Sequence, residues 1–400
     1  MSLLGGRRLR WLIAAVLGIG IAVCSSQGPA WFQRASRFCS YISCPQAQYG
    51  FLLGWISAVM LLPAMKWCAK RLVFHGGSDD SLYGLDHAIL NLKLPPYSGM
   101  WMNMGYWEHE TEFPQACEAL LNQVLQAAGL IELDRYGRGA AARISNPHGS
   151  PRSIRLVDVG FGCGDQTVYL TTQLYWTHAR TGLTYPLFDS YLGLTIVGSQ
   201  SDFARQRVSE HWMGTSNAYR TPDVQLFCAD AADRSTWSPE LQEAILANHT
   251  SSCTWLLALD TLYHFKPSRH PLFDTAFSNL HASITAFDLI LSDSASLIDR
   301  LLLRIVCRMS STPFSNLVTK AEYEQMLVNA GYSREDITFR DVSEHVFPGV
   351  AAYMQRRDKE LRKFGLGLGK FKAAGRVFDW WARSGAVRGV IVVAKRPGEL

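Results

Sequence analysis

A buried strand that stops in a glycine-spaced turn constrains this chain more than any other stretch. It runs Arg155-Leu156-Val157-Asp158-Val159-Gly160-Phe161-Gly162-Cys163-Gly164-Asp165-Gln166. Ile154–Val159 is an apolar strand pattern, and a helix is predicted from about Gln166 to His178. Three alternate glycines remove the Cβ at every second position of the turn and permit φ > 0 there, so the backbone can pass close to a ligand. The helix start behind them presents unpaired N–H groups and the positive end of a dipole. Such a turn suits a nucleoside-type cofactor or a phosphate. The spacing is Gly-x-Gly-x-Gly, not the Gly-x-Gly-x-x-Gly of a dinucleotide turn, and no Gly-Lys-Ser/Thr marks a triphosphate loop.

Strands and helices alternate from here. The expected strands are Ile154–Val159, Tyr191–Val197, Val224–Ala229, Trp255–Leu259, Phe287–Ser292, one starting at Ile337, and Gly389–Lys395. Helical patterns separate them, at Ser199–Trp212, Leu241–Ala247, Pro271–Ser283, Ser296–Met309 and from Thr319 to a glycine stop at Gly331. Val350–Phe364 and Phe371–Trp381 are helical and basic. The rhythm predicts an α/β fold: a doubly wound, largely parallel sheet whose ligands bind beyond the C-terminal strand ends. Polar residues stand at or near four successive strand ends: Asp158, Thr195 with Gln200, Asp230, and Asp260 with Tyr263 and His264. Singly, each also reads as a helix cap or turn residue.

Ahead of this domain, residues 1–75 hold two apolar runs, at about 11–24 and 49–65. Arg7, Arg8 and Arg10 precede the first, and Lys66, Lys70 and Arg71 follow the second. Basic outer flanks predict a membrane hairpin with both ends on the cytosolic side. Both runs are short against the ~20 residues that cross a bilayer, so two buried helices or a cleaved signal or mitochondrial presequence also fit. Residues 76–153 are expected to be a helical cap and loop. They include the aromatic and methionine cluster Met100–Trp107, with Tyr106, and an amphipathic helix from Phe113 to Leu130. The nine cysteines contain no Cys-x-x-Cys pair, so no zinc cluster is expected. A net charge of +5 without a basic stripe on the domain is no nucleic-acid footprint.

The segment Val157-Asp158-Val159-Gly160-Phe161-Gly162-Cys163-Gly164 resembles the first motif of class I S-adenosylmethionine-dependent methyltransferases. Gly193-Leu194-Thr195-Ile196 with Gln200 is similar to the cyclopropane-fatty-acid synthase branch. Asp260-Thr261-Leu262-Tyr263-His264 is similar to phosphoethanolamine methyltransferases, and Asn103–Trp107 to tocopherol-type enzymes. The resemblance covers roughly residues 80–396. It implies a seven-stranded Rossmann-like methyltransferase sheet with the last strand antiparallel, and S-adenosyl-L-methionine as cofactor. It implies cofactor contacts from Asp158, Gly160, Gly162, Gly164, Asp165, Thr195, Gln200, Asp230, Ala231 and Asp260. His264 is the candidate base, with Tyr263 and Tyr106 closing over the methyl group; a helix-capping role is the alternative for His264. Thr195 stands where most such enzymes keep an acid. The expected acceptor is a small or lipid-like molecule at a membrane, the endoplasmic reticulum facing the cytosol, or a mitochondrial membrane. A lipid-cyclopropanating enzyme and a catalytically silent scaffold are the alternatives.

Overall fold

The structure is a computed structural model. It describes residue 90 and residues 99–133, 139–141, 153–177, 184–213, 222–246, 252–363 and 366–396. The chain divides into two units, 1–71 and 72–400, and the description below concerns the second. Both expected membrane runs and the 76–80 linker lie outside the described residues. Among the described residues, no helix is long and apolar enough to cross a membrane.

Seven strands form one sheet: β3 Ser153–Val159, β6 Ser190–Thr195, β7 Asp223–Cys228, β8 Ser252–Leu259, β9 Ser283–Leu291, β10 Ile337–Asp341 and β11 Val387–Ala394. Their order across the sheet is β10-β11-β9-β8-β3-β6-β7. β3 pairs in parallel with both β6 and β8, so the glycine turn leaves the middle of the sheet. β11 enters late and pairs antiparallel with β9 on one side and β10 on the other. Outside the sheet, β1 Ile131–Leu133 pairs with β2 Gly139–Ala141, and β4 Tyr175–Thr177 with β5 Thr184–Pro186.

The central strands are apolar without alternation because helices cover both faces; all nine residues of β9 are buried. Successive side chains enter opposite cores. Leu156 and Leu257 join α1 Phe113–Ala128 in one, while Val157 and Leu256 join the residues of α4 Pro239–Leu246 and α5 His270–Ser278 in the other. α1 buries Leu120, Leu121, Val124 and Leu125 completely. Each such side chain contributes about 1.5–3 kcal/mol by leaving water. The helix stops at Gly129, in the left-handed conformation (φ 79°).

Several boundaries differ from expectation. The helix after the turn, α2 Asp165–Thr172, ends six residues early, because the β-branched and aromatic run beyond it pairs as the β4–β5 hairpin. The helix expected from Val350 begins at Ser343: α8 Ser343–Arg362 carries Pro348 in its second turn and buries Val346 and Phe347. α3 Gly198–Met213 follows β6, and α9 Phe371–Ser384 precedes β11. α6 Leu297–Met309 and α7 Lys320–Ala330 both start in capping boxes, Ser296 with Asp299 and Thr319 with Glu322.

Candidate active site

The glycine turn, the ends of β6, β7 and β8, and the cap segment Met100–Asn103 enclose a cavity of about 590 Å³. That is the size range of small-molecule sites. The three glycines do different work. Gly160 (φ 83°) has no room for a side chain, since a Cβ would stand 2.7 Å from Thr261 Oγ1. At Gly164 (φ 88°) it would stand 2.9 Å from Ala204 Cβ, so this glycine lets α3 approach the turn and does not line the cavity. Gly162 (φ 64°) faces the cavity, where the nearest atom to an added Cβ is Met102 Sδ at 3.4 Å.

Asp158 is wholly buried beneath the turn and does not line the cavity. Its carboxylate accepts two hydrogen bonds from Gln166 Nε2, at 2.8 and 2.6 Å, and one from the Tyr191 hydroxyl at 2.5 Å. Burial raises its pKa to about 6 against these donors. Gln166 itself lines the cavity, so Asp158 acts through Gln166. Asp165 receives Arg207 in a bidentate pair, Nη1–Oδ2 2.5 Å and Nη2–Oδ1 3.0 Å, and also accepts the Met100 N–H at 3.1 Å. It fastens the cap segment to the turn.

At the β6 end, Thr195 Oγ1 donates to Gln200 Oε1 (3.1 Å) and accepts the Val197 N–H (3.3 Å). Gln200 Nε2 lies 3.5 Å from Met102 Sδ. Thr195 thus organises the loop in the place of an acid. At the β7 end, Asp230 Oδ1 accepts the Ala232 N–H at 2.8 Å, and Ala231 is buried; both line the cavity.

Asp260 ends β8 in the left-handed region (φ 59°), tolerated by a short carboxylate side chain but seldom adopted. Its Oδ2 accepts the Met104 N–H (2.8 Å), and its Oδ1 accepts the Tyr263 hydroxyl (2.9 Å). Burial pushes its pKa up to about 7, with a small push from Asp288, against those two hydrogen bonds. His264 lies beside Tyr263, ring centroids 4.1 Å apart, with its Nδ1 3.3 Å from Thr312 Oγ1. Burial, assisted by the Lys266 charge, holds His264 down to about 3, so the ring is neutral at physiological pH and weakly basic.

A second, narrower cavity of about 180 Å³ adjoins the first. Asp260, His264, Met102, Asn103, Met309 and Ser310 line both. Its remaining walls are mostly apolar: Val306 of α6, Val350 and Met354 of α8, and Phe371, Val377, Phe378 and Trp381 of α9.

Tyr106 lies elsewhere. Its hydroxyl donates to Glu108 Oε2 at 2.7 Å, and its ring sits 4.9 Å from that of His345. It lines neither cavity. The reason is local: Trp107 Nε1 bonds the Met104 carbonyl and the Tyr106 N–H bonds Ala116 O, which turns the end of the cluster toward α1 and α8. The residues of that cluster that do meet the site are Met100–Asn103 and Met104. Gln166 and Thr261 also line the site and were not singled out from the sequence. A polar residue one position past a helix start, bonded to a buried aspartate eight residues back across the glycine turn, leaves no periodic signal.

The sheet order and the position of the turn identify the architecture. The fold is that of the class I methyltransferases. The cyclopropane synthase MmaA2 from Mycobacterium tuberculosis matches with a TM-score of 0.50 and 13% identity, over 80% of this chain and 99% of its own. The geranyl diphosphate C-methyltransferase from Streptomyces coelicolor A3(2) matches at 0.45 and 14%, over 80% and 99%. The phosphoethanolamine N-methyltransferase 2 of Haemonchus contortus matches at 0.45 and 12%, over 62% of this chain and 50% of its own. No protein-family model matches the sequence, and no curated protein does.

Proposed function

We propose that this protein is an S-adenosylmethionine-dependent methyltransferase acting on an apolar, small or lipid-like acceptor. The observation that carries this reading is the junction of the two cavities at Asp260 and His264. The residues of the larger cavity fit the cofactor. Backbone from Gly160 to Cys163 forms a side without bulky obstruction, the start of α2 supplies N–H groups, and Gln166, Thr195 and Asp230 add polar atoms. Leu194, Ile196 and Ala231 add flat apolar wall for a base.

When bound, S-adenosylmethionine supplies an electrophilic methyl group, and the acceptor atom that takes it gives up a proton. Asp260 is placed to receive that proton on its carboxylate. A carboxylate with a pKa near 7 is better matched to neutral pH than an imidazole near 3. His264 offers a neutral nitrogen that orients the acceptor by hydrogen bonding. Tyr263 holds Asp260 in place through its hydroxyl. The apolar second cavity excludes water and aligns the acceptor, which is the larger part of what such a transfer needs.

In this reading the runs at 11–24 and 49–65 hold the chain on a membrane. The endoplasmic reticulum, with the domain in the cytosol, is the first compartment to test. The deciding experiment incubates the protein with isotopically labelled S-adenosylmethionine and lipid and small-molecule extract, then searches for labelled products by mass spectrometry. A labelled apolar product is expected. Failure to bind the cofactor in calorimetric titration sinks the enzyme reading, and binding without any labelled product favours a silent scaffold.

A further inference from the structure

α6 has the largest exposed apolar surface among the described residues. Leu297 is 86% exposed, Ile298 70%, Leu301 58%, Leu302 42% and Ile305 50%. At 100° per residue these five fall on one arc of the helix, and Leu303 and Cys307 are the residues it buries. A monomeric water-soluble surface seldom leaves so many large aliphatic side chains together. Arg300 and Arg304 flank the arc on one side, and Arg308, four residues on, lies at that edge among the aliphatic side chains. Arg300 donates to the Ala295 carbonyl, and Arg304 lies over the Phe314 ring. On its other side the arc continues, one turn on from Leu302 and Ile305, to Val306 and Met309, which form a wall of the apolar cavity. An aliphatic track therefore runs from the exposed face of the helix into the acceptor cavity, with a row of cations along one border.

Charge complementarity selects the partner. A second copy docked face to face and antiparallel would bring the two rows of arginines together, which disfavours that self-association. An anionic lipid surface satisfies both features, taking the aliphatic side chains at the acyl boundary and the guanidinium groups at the phosphates. We propose that the exposed face of α6 lies on an anionic lipid bilayer and passes an acyl-bearing acceptor along Leu302, Ile305, Val306 and Met309 into the cavity. The passage of an acceptor rests on the methyltransferase reading above; the docking of α6 does not.

The test uses the full chain and hydrogen exchange read by mass spectrometry, so that membrane contact by residues 1–75 does not obscure the result. Amides of 297–309 are followed in buffer, on phosphatidylcholine vesicles, and on phosphatidylcholine–phosphatidylserine vesicles. Slower exchange of this segment on the anionic vesicles alone, reversed by high salt, is expected. Reversing the three arginines (Arg300→Glu, Arg304→Glu, Arg308→Glu) is expected to weaken that protection roughly fivefold per side chain, the worth of one basic group at such a surface. Leu301→Gln with Ile305→Gln, exposed changes that leave the core intact, should abolish it. No protection on either vesicle, equal protection on both, or protection that depends on protein concentration instead of lipid each overturns the proposal. Calorimetric binding of S-adenosylmethionine is measured on the same sample. Cofactor binding without α6 protection defeats the docking proposal alone, and α6 protection without cofactor binding defeats the methyltransferase reading alone.

Discussion

In the proposed methyltransferase reading, Asp260 concentrates most of the chemistry in one side chain. It stands in the left-handed region, at a strand end, against two cavities, with a pKa near neutrality. A carboxylate that must ionise to accept a proton makes the rate rise with pH, with a midpoint near 7. Asp260→Asn is expected to lower kcat roughly 10²–10⁴-fold and to erase that limb, the usual reach of general-base catalysis. His264→Gln should keep the limb, because His264 is already neutral throughout it. A pH–rate profile of both variants checks the assignment, and a limb that survives in Asp260→Asn refutes it. The glycines separate packing from binding in the same way. Gly160→Ala forces a Cβ against Thr261 in a conformation L-residues avoid, so a loss of about 1–3 kcal/mol of stability is expected. Gly162→Ala also carries the backbone strain, but its Cβ enters the cavity beside Met102. Its additional signature should be weaker S-adenosylmethionine binding by calorimetry. Here the sequence was partly legible. The motif announced the turn, but that Gly164 serves α3 and Asp158 serves Gln166 depends on neighbours distant in the chain.

At the scale of elements, periodicity and capping were the readable signals. The Thr319-x-x-Glu322 box and the Phe113–Ala128 apolar stripe were expected and are present. Both are local, so nearby residues encode them fully. Thr319→Ala removes a side-chain acceptor for the Glu322 N–H and should cost ~1 kcal/mol. Leu121→Ala, in the buried stripe of α1, should cost roughly 2–5 kcal/mol. Chemical denaturation of each against the parent measures both, and a Thr319 loss as large as the Leu121 loss would contradict this ranking. The β4–β5 hairpin and the early start of α8 escaped because tertiary pairing overrode propensity: Tyr175–Thr177 can be helix or strand until Thr184–Pro186 is beside it. Tyr106 escaped for the same reason, since its direction is set by Ala116 and Trp107 and not by its motif.

Several buried carboxyls have raised pKa values, among them Asp158 at about 6 and Asp260 at about 7. A raised carboxyl pKa means that the folded state holds the proton more tightly. The stability it contributes is present at low pH and is lost as pH rises through the folded value. Replacing Asp158 by Asn removes one such dependence. The variant should therefore gain relative to the parent as pH rises from about 4 to about 6, whatever its constant offset. Thermal melts across that window check the sign, and a relative loss over it would contradict the burial argument. The alternation of strands and helices made the sheet legible as a whole, because fully buried strands need crossover helices on both faces.

The late entry of β11 has a consequence for biosynthesis. The strands around the glycine turn, β3, β6, β7 and β8, all precede α6 in the chain, and they can pair as soon as they leave the ribosome. β9 cannot be completed then. Its outer edge waits for Val387–Ala394, roughly a hundred residues downstream, while α6, α7, β10, α8 and α9 are still being made. Until that moment a nine-residue strand that is wholly buried in the finished fold, and mostly apolar, presents an open edge of the kind that recruits other chains. A frameshift between α6 and β11 would leave the strands around the glycine turn assembled and this edge uncovered, so such shortened products should be cleared by aggregation and quality control, not persist as inactive monomers.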